Sequence, residues 1–155
     1  MKKSVVILFI MGVLLASVGI VQAATLNIAA NVQSALTLAL DPSSFTFNSV
    51  QQGVPSADQD LTATTTGSGA YQLQLSSTTF TAAGAITQPT TVLQYKENAA
   101  GTYVNATATA TNMLAANGTA DPAGDEKDFN FRVNFPVTAA NGAYAATITI
   151  TAAPQ

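Results

Sequence analysis

The chain has 155 residues, is 48% hydrophobic and only 8% charged, and contains no Cys, His or Trp. Those absences exclude thiolate chemistry, Ser-His-Asp and Cys-His catalysis, and zinc held by His or Cys. A carboxylate-only or Ser/Lys enzyme stays formally open; the chain is read as not an enzyme and as having no cofactor beyond a candidate calcium ion. With no disulfides available, stability must come from a packed core.

The first element is MKKSVVILFIMGVLLASVGIVQA. A basic start (Lys2, Lys3), an apolar run from Val5 and a small residue at Ala23 predict a cleaved signal helix over 1–23. Residues 24–155 then form one domain, long enough for a sizeable core. Removing Lys2 and Lys3 leaves three basic against eight acidic residues, a net charge of −5. That balance argues against nucleic acid and anionic membrane as partners, and against stable membrane insertion after signal cleavage.

Beyond the signal, apolar residues recur at period two, which predicts strands. TLNIAANV places Leu26, Ile28, Ala30 and Val32 on one face, and LTLAL does the same with Leu36, Leu38 and Leu40. Asp41-Pro42 marks a turn, and FTF pairs Phe45 with Phe47. QGVPSADQ reads as a loop. DLTATTT turns Leu61 and Ala63 inward, and YQLQL turns Tyr71, Leu73 and Leu75 inward with Gln72 and Gln74 outward. Short strands are expected near Phe80 and Ile86, then VLQYK, with Leu93 and Tyr95 on one face, and TYVNATATAT. NGTADPAGDEKD (117–128) reads as a long loop. FNFRVNFPV alternates with Phe129, Phe131, Val133 and Phe135 inward. Asn141-Gly142 then predicts a hairpin turn into GAYAATITITAAPQ, whose Tyr144, Ala146, Ile148 and Ile150 share the core face. The expected fold is all-β: a two-sheet antiparallel β-sandwich, Ig-like or jelly-roll-like, of about nine strands.

Asp121, Asp125, Glu126 and Asp128 gather half of the carboxylates within eight residues. They form either a calcium-binding loop, since calcium takes several oxygen ligands, or a solvated loop partly balanced by Lys127. Arg132 lies at an outward position. Asn105-Ala-Thr107 and Asn117-Gly-Thr119 fit the glycosylation sequon.

Two stretches carry a resemblance. LTLALDPSSFTFNSV (36–50) resembles the opening strand pair of WxL-type surface domains, with Asn48 where Gly is common. GAYAATITITAAP (142–154) is similar to the closing strand of that family, with Ile150 at the Trp position. Both stretches also resemble secreted β-sandwich filament subunits: TasA-like, archaeal bundling-pilus and spore coat U proteins. The resemblance implies a secreted or cell-surface structural protein that binds copies of itself or related surface proteins. The alternative it implies is a cell-wall or carbohydrate-binding adhesion module with a glycan partner. Leu26, Ile28, Ala30 and Val32 are the candidate interaction residues, on a strand that either adds to a neighbour's sheet or pairs within its own.

Overall fold

Alternating apolar and polar residues need two sheets packed face to face to bury their apolar parity. The computed structural model describes residues 35–98 and 101–155. The expected signal helix and the candidate strand over 24–32 lie outside the described residues. The described residues belong to a compact unit, Gln33–Gln155. They form eleven strands rather than nine, several only two or three residues long. In chain order these are β1 (Thr37–Asp41), β2 (Gln59–Thr66), β3 (Gly69–Ser77), β4 (Phe80–Ala82), β5 (Ile86–Gln88) and β6 (Leu93–Glu97). They continue with β7 (Val104–Asn105), β8 (Thr111–Asn112), β9 (Gly118–Ala120), β10 (Asp125–Val133) and β11 (Ile148–Pro154).

The first sheet has the order β1-β2-β10-β6-β7. In the second, β3 pairs with β11 on one side and with β8 and β9 along the other. β4 and β5 make a separate antiparallel hairpin. All the named strand pairs are antiparallel, so the sandwich expectation holds.

The expected inward residues meet in the core. Leu61, Tyr71, Leu73, Leu75, Leu93, Tyr95, Phe129, Phe131 and Val133 are almost wholly buried. Each such side chain contributes about 1.5–3 kcal/mol. Phe131 stacks on Tyr95 at 5.9 Å and meets Phe45 at 5.1 Å.

Several expectations change. Gln72, expected outward, is buried. Its amide is satisfied by the Leu114 backbone, which donates to Oε1 at 2.9 Å and accepts from Nε2 at 3.3 Å. TYVNATATAT is not one strand, because the chain leaves the first sheet after β7 and crosses to pair with β3 as β8. The loop over 117–128 is shorter than its charge suggests. β9 takes its start, and β10 already begins at Asp125 because the acidic stretch keeps period two.

The largest correction concerns the chain's last strand. β11 does not form a hairpin with β10: it pairs with β3, from Ile148 opposite Ser77 to Pro154 opposite Tyr71. Asn141-Gly142 instead sits in an exposed crossover between the sheets.

Gly67 makes the sheet-to-sheet turn possible. Its φ is +142°, and a Cβ there would come within 2.5 Å of the Ala35 carbonyl oxygen.

Candidate interaction groove

The two long sides of the sandwich differ. Away from β1 and β11, polar bonds tie the sheets together. Tyr71 Oη donates to Asp125 Oδ2 at 2.9 Å, Tyr95 Oη to the Asn112 carbonyl at 3.4 Å, and Ala115 N to Glu97 Oε2 at 2.9 Å. Burial, with the Asp125 carboxylate adding to it, pushes the Tyr71 hydroxyl up to about 12.

Among the described residues, the side bounded by β1 and β11 is the less covered one. The hydrophobic residues packed on the core but only half-buried come from three segments: Leu36–Leu40, Phe45–Val50 and Tyr144–Ala152. Between them lies a groove of about 890 Å³. Leu40, Phe45, Phe47, Ile148 and Ile150 form its walls, and Leu61 and Val133 reach it from the core. Phe80, Phe135 and Tyr144 line its far end, with Phe135 4.9 Å from Tyr144 and edge-on to Phe80 at 5.7 Å. Tyr144 is held there by its hydroxyl, which donates to the Ala140 carbonyl at 2.9 Å. Among the described residues no charged side chain lines the groove.

Both bounding strands are edges. Among the described residues β1 has only β2 beside it, and β11 only β3. Natural edge strands are usually blunted by a charge, an early proline or a bulge. β11 (ITITAAP) has no charge, and its proline stands at the last position.

The four carboxylates grouped by the sequence part company. Asp121 caps its own turn, accepting from Ala123 N at 2.7 Å and Gly124 N at 2.9 Å. Asp125 faces the sandwich interior, bound to Tyr71 and, at 3.1 Å, to Lys127. Glu126 and Asp128 are exposed, and Asp128 accepts from the Thr62 hydroxyl at 2.8 Å. Alternation along β10 is what divides them. Among the described residues no group of three or more acidic, His or Cys side chains converges as a metal site would require.

Tyr103 sits under the two cations of the first sheet's outer face. The Arg132 guanidinium lies 3.5 Å and the Lys96 ammonium 5.0 Å from its ring centre. Burial, with the Asp58 carboxylate adding to it, pushes its hydroxyl up to about 12.

The candidate interaction strand over 24–32 lies outside the described residues. The sequence expected β11 to be paired in a hairpin with the preceding strand, whereas among the described residues it is an edge strand beside β3. The missed signal is the uncharged ITIT run followed so late by a proline.

No protein-family model matches the chain, and no curated protein matches it. Among solved structures, similarity is found to a family 123 glycoside hydrolase from Clostridium perfringens, described for glycolipid glycan hydrolysis. Identity is 13% and the TM-score 0.47, over 76% of this chain. The chain spans about a quarter of that enzyme, 24% of its length. The match overturns the reading of this chain as not an enzyme, which is withdrawn. Glycoside hydrolysis ordinarily runs on carboxylates, chemistry that the missing His and Cys had left open. The likeness in turn assigns no activity here. No helix among the described residues is long and apolar enough to cross a membrane.

Proposed function

We propose that the protein is a secreted cell-surface structural protein, a filament, pilus or coat subunit that joins copies of itself by strand addition. The observation that carries this reading is the apolar side where, among the described residues, a groove without charge lies between two sheet edges. In strand addition, ladder hydrogen bonds supply affinity and alternate side chains supply specificity. The segment ATLNIAANV (24–32) has the matching chemistry: alternating apolar residues and no charge. An open edge of this kind is an association hazard in a monomer and a joint in a subunit.

Sedimentation velocity on the processed protein tests the reading. Chains beginning at residue 24 sediment as polymers, and the same chains lacking 24–32 sediment as folded monomers. Polymers unchanged by the truncation refute it.

A further inference from the structure

We infer that the acceptor is the edge of β11, and that Ala24–Val32 of a second copy adds there as an antiparallel strand, with Ala30 and Val32 over the groove and Leu26 and Ile28 on the same face beyond it. This rests on the self-assembly reading above and specifies its joint.

Of the two open edges, β11 is the better acceptor. It offers seven residues, whereas β1 offers five and ends in the charged Asp41. Its inward residues Ile148 and Ile150 are half-buried, while Thr149 and Thr151 face solvent. Apart from the β3 ladder, backbone bonds among the described residues reach Ala145, Thr147 and Gln155 but none of Ile148–Pro154. A strand added beside β11 extends the second sheet over the groove and faces β1 across it.

The chain's own geometry selects a second copy. Thr37 pairs with Thr66, Pro154 with Tyr71, and Gln155 N donates to the Ala70 carbonyl at 3.0 Å. Thr66 and Gly69 are separated by only two residues, so β1 starts at the end of the sandwich where β11 finishes. An antiparallel strand on β11 brings Val32 beside Ile148, at the other end. Its own chain would then have to return about 20 Å along the strand and cross about 10 Å between sheets. The five steps from Val32 to Thr37 span at most about 18 Å. In that register the own segment therefore cannot pair antiparallel with its own β11, whereas a neighbour's can. Every named strand pair in the molecule is antiparallel, and parallel pairing is the weaker ladder.

Size complementarity sets the register. With Val32 opposite Ile148, Ala30 meets Ile150, Ile28 meets Ala152 and Leu26 meets Pro154. Small then faces large at both central positions. On the solvent side, Asn31 meets Thr149.

The absence of native Cys allows a direct test by disulfide trapping. Opposed residues in an antiparallel pair have Cα atoms about 4.5–5.5 Å apart, within the range a disulfide needs. Asn31→Cys and Thr149→Cys proteins are mixed, oxidised gently and run without reductant. Circular dichroism checks that each is folded. The expected result is loss of monomer into a linked heterodimer, and no heterodimer when Ala39→Cys, on the outer face of β1, replaces Thr149→Cys. Linkage to Ala39→Cys instead places the strand on β1 and overturns the inference. So does an Asn31→Cys/Thr149→Cys chain that closes its bond within one molecule. Polymers of the unsubstituted protein with no link at Thr149→Cys overturn the acceptor but leave self-assembly standing. An unsubstituted protein that never polymerises refutes both.

Discussion

Replacing Gly118 by alanine is expected to destabilise the closed side of the sandwich sharply. Gly118 in β9 lies directly opposite Tyr71 in β3. A methyl group there would stand 2.7 Å from Tyr71 Oη and closer still to ring atoms Cε1 and Cζ. The ring has nowhere to go, since Tyr71 is fully buried and its hydroxyl is fixed on Asp125. Overpacking of this kind costs about 1–3 kcal/mol. Displacing the ring also strains or breaks a hydrogen bond to a carboxylate, worth about 1.5–3 kcal/mol. The total is about 2.5–6 kcal/mol, which for a domain of this size lowers Tm by about 10–24 °C. Urea unfolding followed by circular dichroism measures it. Tyr71→Leu in the same chain gives a double-mutant cycle, in which the methyl group should cost much less once the ring is gone. A Gly118→Ala protein within about 0.5 kcal/mol of the parent, the range of an ordinary surface change, would refute the argument that Gly118 makes room for Tyr71.

Ile150→Lys places a charge on the open edge at a half-buried site. It should abolish polymer by sedimentation while costing at most about 2 kcal/mol in urea unfolding, and polymers that persist would count against the groove. Leu73→Ala, in the centre of β3, should cost about 2–5 kcal/mol through the cavity it leaves. Tyr71 and Tyr103 titrate near 12 in the fold against about 10 in an unfolded chain. Their raised values favour the neutral hydroxyl in the native state, so this stability is full below about pH 10 and is lost as pH rises towards about 12. Urea titrations across that window should show the fall, and Tyr103→Phe should flatten it. Calcium added after chelator treatment should leave Tm unchanged, because the four carboxylates face different ways; a saturable rise would show that they converge.

Period-two alternation made the core legible. Leu61, Ala63, Tyr71, Leu73, Leu75, Phe129, Phe131 and Val133 are inward in sequence and buried in structure, because a strand has only two faces. Alternation is silent about which strand lies beside which. That is why Asn141-Gly142 suggested a hairpin between β10 and β11, although these strands belong to different sheets. The same silence hid the groove: Ile148 and Ile150 have core parity, and only the order of the sheet leaves them half-covered. Gln72 misled for another reason. A polar side chain can take a buried position when the backbone of another segment, here Leu114, satisfies both ends of its amide. Charge misled at Asp125–Asp128, where a strand runs on through four charged residues with Glu126 and Asp128 on its solvent face.

Negative-stain electron microscopy of the purified, signal-processed protein tests the central claim most directly. The open edge of β11 and the uncharged groove beside it predict filaments or extended assemblies of repeating subunits, which disappear when residues 24–32 are deleted. Uniform single particles of monomer size at high protein concentration would contradict the account.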